Sequence, residues 1–188
     1  DSVGVGKYVG AEALAAVGVT GSVTFLFFAL CNGIGSGGGI ITAKQFGILA
    51  CHENEKGIYG AVASRCLEIH QAVPEIRGIF DPANYVQCGQ DTLEAWKLLK
   101  PYIKYMHIKD ALENGRVVPA GKGIGQVKQI LDAYRAQGGH ALTIEPHLTV
   151  FAGLKDLERA GEETKMAYTY ESSDAAFDAA CDALKACL

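Results

Sequence analysis

Short apolar runs bounded by turn residues alternate along this chain with segments of helical period, and no other feature narrows the fold as much. Runs at 23–28, 46–51, 76–80, 104–108 and 141–144 read as strands. Between them, Val62, Cys66, Ile69 and Val73 mark one helix face, and Leu93, Trp96 and Leu99 a second. Val127, Ile130, Leu131 and Tyr134 mark a third, and Phe177, Cys181, Leu184 and Leu188 a fourth. Asp91 with Glu94 resembles a capping box, Pro101 stops the helix behind it, and Ser172 or Ser173 caps the last helix. Strands separated by helices of this size pair in parallel, because parallel neighbours need a crossover. The strands are apolar throughout, as expected when both faces are covered. The class is α/β, and no charged or Pro-rich linker divides the chain.

Length then limits the architecture. A complete (β/α)8 barrel takes about 250 residues, or about 31 per unit, so 188 residues hold about six units at most. The net charge of −4 lacks the basic footprint of a dedicated nucleic-acid binder. Six cysteines without CxxC spacing read as buried free thiols of a cytoplasmic protein. No basic segment precedes an apolar run, so no signal peptide is expected. The apolar stretch at 17–31 is interrupted by Gly18, Thr20, Gly21, Ser22 and Thr24 and falls short of the roughly 20 residues that cross a bilayer. No membrane association is expected from it.

The residues that end the strands carry the chemistry. Run 46–51 leads into His52-Glu53-Asn54-Glu55, run 76–80 into Asp81, run 104–108 contains His107, and run 141–144 leads into Glu145. The separations from Glu53 to Asp81 to His107 to Glu145 are 28, 26 and 38 residues, each near one barrel unit. In a parallel barrel all strand C-termini open on one face, so these side chains converge. Packed carboxylates repel one another unless a cation or protons neutralise them. Oxygen and imidazole ligands without thiolate suit one divalent metal ion, Mn²⁺, Mg²⁺, Co²⁺ or Zn²⁺. Taken singly, an acid that follows a strand is more often a helix cap or turn residue than a ligand, Asp81-Pro82 above all, and a lone His107 is usually a core histidine.

Five segments, His52 to Gly60, Phe80 to Asn84, His107 to Ala111, Pro119 to Gly123 and Ile144 to Leu148, resemble in order the motifs of the sugar phosphate isomerase/epimerase family. That family belongs to the xylose isomerase-like TIM barrel superfamily. The resemblance is strong over 47–188 and poor over 1–46, where run 23–28 takes the place of the fourth strand without the family's arginine and serine. It implies a single, incomplete barrel domain holding strands four to eight, with strands one to three missing. A five-strand sheet has open edges, so the barrel belongs to a longer protein or closes by homo-oligomerisation. Residues 33–45 should form the next helix, yet five glycines there cost about 1 kcal/mol each relative to alanine, which leaves a loop or an unusual helix.

By the resemblance, Glu53, Asp81, His107 and Glu145 bind the metal, and Glu53 and Glu145 double as acid and base. Glu55 lies two residues on and points the same way from an extended segment, so either glutamate can ligate while the other contacts substrate or caps a helix. Asn84, Lys109 and His147 are candidates for holding substrate hydroxyls or a phosphate. The loop at 121–125 lacks the preceding strand of a nucleotide cradle and falls at the barrel mouth. The implied function is a metal-dependent sugar or sugar phosphate isomerase/epimerase. The alternatives are an inosose-type dehydratase on the same site, a catalytically silent barrel fragment or binding module, and an abasic-site endonuclease-like phosphodiesterase.

Overall fold

The computed structural model of the protein describes residues 7–149 and 165–188. The chain divides into two units, Asp1–Ile48 and Leu49–Leu188.

In the first unit the described residues include a long helix, α1 (Ala11–Gln45), of 35 residues. This corrects the strand expected at 23–28, which lies inside the helix, and it makes 33–45 helical despite its glycines. The physical reason is backbone accounting. A strand must find a neighbour for its N–H and C=O groups, whereas a helix satisfies them within the segment. A short apolar run carries no period that tells the two apart. The side chains of Phe25, Leu26, Phe27 and Phe28 are exposed. The segment Val23–Gln45, 23 residues at a mean hydropathy of 1.5, is long and apolar enough to cross a membrane by length and composition alone, which the run at 17–31 was not. The expected strand at 46–51 also begins later, because Phe46 caps α1, its N–H donating to the Thr42 carbonyl at 3.1 Å.

The second unit opens with β1 (Cys51–Glu53), a 3₁₀ turn (Tyr59–Ala61), α2 (Ala63–Ala72), β2 (Arg77–Phe80), α3 (Pro82–Gln87) and α4 (Thr92–Leu99). It continues through β3 (Ile103–Ile108), β4 (Asp110–Ala111), β5 (Val117–Val118), α5 (Val127–Ala136), β6 (Leu142–Ile144) and α6 (Ser173–Cys187). Strands β1, β2, β3 and β6 form one parallel sheet in that order, with a register irregularity between Gly78 and Ile79. β4 and β5 make a small antiparallel excursion after β3. Among the described residues the sheet is therefore open and four-stranded, one strand fewer than expected.

Helix starts follow the sequence closely. The Asp91 carboxylate accepts from the Glu94 N–H at 2.9 Å, and the Ser172 hydroxyl from the Ala175 N–H at 3.1 Å. Phe80, Tyr85, Trp96, Met106, Ile108, Ile130, Leu131 and Tyr134 fill the layer between sheet and helices. Trp96 packs edge-on against both Phe80 and Tyr134, with centroids 5.4 and 6.4 Å apart. On α6 the buried face is Ala176, Ala180, Leu184 and Cys187, while Phe177 and Leu188 of the expected stripe are exposed. All six cysteines are free, but only Cys66 and Cys187 are buried, and Cys31 and Cys51 are exposed.

Met106 and Ile108 of β3 thus face the helices, and the alternation of a strand sends Tyr105 and His107 to the other face of the sheet. The candidate site lies on that face.

Candidate metal centre

Glu53 is the last residue of β1, Asp81 follows β2 directly, His107 is the fifth residue of β3, and Glu145 follows β6 directly. Parallel pairing puts all four at the same end of the sheet, and one ligand-capable atom from each lies within 4.8 Å of the others. His107 Nδ1 is 2.8 Å from Glu53 Oε1 and 3.3 Å from Glu145 Oε2. Lys109, one pleat beyond His107, places its ammonium 3.0 Å from Asp81 Oδ2 and 3.1 Å from Glu145 Oε2.

Asp81 is held from both sides. Its Oδ1 accepts the Asn84 N–H at 2.9 Å and caps α3. Asn54 extends the β1–β2 pairing past Glu53: its Oδ1 accepts the Asp81 N–H at 2.9 Å and its Nδ2 donates to the Asp81 carbonyl at 3.0 Å. No motif or spacing in the sequence points to Asn54. A polar side chain directly after a strand was its one visible signal.

Glu53 and Glu55 separate. Glu53 turns to His107, while Glu55 accepts the Lys56 N–H at 2.8 Å and receives the Asn84 side-chain amide at 3.3 Å. That amide also donates to the Asn54 carbonyl at 2.9 Å and reaches Glu53 at 3.5 Å. Asn84 is buried and ties the two glutamates to the backbone between them. His147 Nε2 lies 3.8 Å from Glu145 Oε1, from a residue with a φ of 44°, a left-handed backbone unusual outside glycine.

Charge is tightly coupled across the cluster. Burial pushes Asp81 up to about 6, against the opposing pull of Lys109. Burial disfavours the charged forms of His107 and Lys109, but the carboxylates outweigh it. Glu145 and Glu53 hold the His107 imidazolium at about 10, and Asp81 and Glu145 keep Lys109 above the ordinary lysine value. Burial likewise raises Glu145, yet His107, Lys109 and His147 overcome it and hold it at about 2. His147 is lowered, first by burial and then by Lys109.

The donor set fits a divalent cation. Three carboxylates converge on one imidazole, and Asp81 Oδ2, fully buried, accepts no hydrogen bond of good geometry, its cationic contact being the Lys109 ammonium. The same ammonium also sits against Glu145 Oε2.

Asp110, the residue after Lys109, was also without a role in the sequence reading. It is fully buried, and its carboxylate accepts four backbone N–H groups, from Ala111 and Gly125 on Oδ1 and from Gly121 and Gly123 on Oδ2, at 2.8 to 2.9 Å. Glycines at every second position of the 121–125 loop were the signal in the sequence.

No family model matches the chain, and no curated protein matches it. Among solved structures it is similar to the crystal structure of the probable 3-DHS dehydratase AsbF involved in the petrobactin synthesis from Bacillus anthracis. The identity is 19% and the TM-score 0.47, over 54% of this chain and 44% of that chain. The chain thus spans less than half the length of that protein.

Proposed function

We propose that this chain is the metal-binding part of a xylose isomerase-like barrel and acts as a sugar or sugar phosphate isomerase/epimerase. The observation that carries the reading is the convergence of Glu53, Asp81, His107 and Glu145 at the ends of four neighbouring parallel strands. These four would hold one divalent ion, whose charge, when bound, polarises a substrate carbonyl and spreads the negative charge that builds as a neighbouring carbon loses its proton.

The chain's own residues account for the proton. Glu53 and Glu145 approach the same imidazole nitrogen from two sides, so a small substrate at this face meets both carboxylates. In an isomerisation one carboxylate takes the proton from the hydroxyl-bearing carbon beside the carbonyl, a proton is returned to the former carbonyl carbon, and the hydroxyl proton passes to the former carbonyl oxygen, leaving atoms and charge balanced. Epimerisation returns it to the same carbon from the opposite face. Lys109 and His147 flank Glu145 and supply donors for substrate hydroxyls or a phosphate.

Two measurements on the full chain test this. Mn²⁺ should bind the wild-type protein, and Asp81→Ala or His107→Ala should weaken binding at least about tenfold, as loss of even an outer-shell partner does. With Mn²⁺ present, a ketose or ketose phosphate should exchange a carbon-bound proton with D₂O, read by NMR. Unchanged Mn²⁺ affinity in both variants refutes the site. Metal binding without exchange across a panel of such substrates refutes the isomerase chemistry, and loss of water from an inosose would move the assignment to a dehydratase.

A further inference from the structure

Resting on the metal-site reading, we propose that Asp110 is a positioning residue that fixes the metal ligand Asp81 and its partner Lys109 by clamping the 121–125 loop across the ends of β2 and β3. Burying a carboxylate is costly unless its lone pairs are taken. Asp110 meets that cost with backbone amides, from Ala111, Gly121, Gly123 and Gly125. The loop amides are therefore spent on the protein's own carboxylate and not offered to a phosphate.

The clamp reaches the site by two routes. Along the strand, Asp110 is bonded to Lys109, and the backbone there is pinned twice more, by the Ala111 N–H on Asp110 Oδ1 at 2.8 Å and by the Ile124 N–H on the Ala111 carbonyl at 2.9 Å. Across the strands, Gly125 lies against Pro82: a Cβ on Gly125 would come within 3.2 Å of Pro82 Cβ and 2.5 Å of Asp110 Oδ1. Pro82 begins the helix that Asp81 caps, so a push on Pro82 is a push on the Asp81 carboxylate. Gly123 is equally confined, with a Cβ falling 2.3 Å from the Ala111 carbonyl oxygen. The glycines are thus required by the carboxylate, and the carboxylate holds the 3.0 Å spacing between Asp81 and Lys109.

The test compares Asp110→Asn, Gly125→Ala and a control, Tyr134→Phe, in the full chain. Asparagine keeps the shape but turns one acceptor into an N–H₂ group facing two N–H donors. Gly125→Ala keeps the Asp110 charge but sets a methyl against Asp110 Oδ1 and Pro82 Cβ, so it forces the clamp apart from the loop side. Tyr134→Phe removes a hydroxyl that meets the Lys104 and Ala141 carbonyls at 2.8 and 2.9 Å, away from the ligands. Mn²⁺ affinity is measured by electron paramagnetic resonance at a temperature where circular dichroism shows each protein folded. Asp110→Asn and Gly125→Ala should each weaken Mn²⁺ about 10- to 100-fold, whereas Tyr134→Phe should lower thermal stability and leave affinity unchanged. Should Asp110→Asn not fold, Gly125→Ala decides. Affinities in both test variants within threefold of wild type overturn the positioning role while the metal site stands. Equal weakening in Tyr134→Phe overturns it as well, since general destabilisation would then suffice. No Mn²⁺ binding by the wild-type chain overturns the metal-site reading and this proposal with it.

Discussion

Lys109 is the residue on which the electrostatics of the cluster turn, because one buried ammonium serves Asp81 and Glu145 together. Replacing it with methionine leaves Asp81 as a buried carboxylate without its cation. In the metal-free protein, Lys109→Met should cost about 3–5 kcal/mol of stability at pH 7.5. Asp81, already raised to about 6 by burial, rises further once the lysine is gone, so by pH 5 it takes up a proton and the cost should shrink. Urea unfolding at the two pH values checks this, and an equal loss at both would contradict it. Glu53, Asp81, His107 and Glu145 were legible because ligand-capable residues recurred at strand ends one unit apart. Asn54 and Asp110 were not, since both spend their polar atoms on distant backbone, an interaction with no spacing in the sequence.

At the scale of elements, β2, β3 and β6, together with α2, α4 and α5, stand within a few residues of their expected places, because each is short, periodic and bounded by a cap or turn. Helix α1 was illegible for the opposite reason: its apolar residues follow no period of either kind, and glycine lowers helix propensity without forbidding helix. The face of α6 was misread by size, since two buried alanines carry less signal than the exposed Phe177. Where α2 meets the sheet, His70 stacks on Tyr102 with ring centroids 5.1 Å apart and meets His52 edge-on at 5.9 Å. Burial, and then the charges of His52 and Arg77, lower His70 to about 4. As pH falls below about 6.5 the unfolded chain takes up a proton that the folded chain refuses, so this contribution to stability is complete above pH 6.5 and is lost toward pH 4. His70→Gln should flatten the stability profile between those values in denaturant titrations. An unchanged slope would show that His70 titrates normally in the fold.

The second unit supplies four consecutive parallel strands, with β1 and β6 at the two edges of the described sheet. Sequence period tells which segments are strands and that they run parallel, but closure of a barrel depends on tilt and shear, which no local pattern records. The metal site does not require closure, because the four side chains already meet within the second unit. Its most direct test is an anomalous-difference map from crystals of the full chain grown with Mn²⁺. One peak bounded by Glu53, Asp81, His107 and Glu145 is expected. A map with no peak among these four side chains, or with Mn²⁺ bound only elsewhere on the protein, would contradict it.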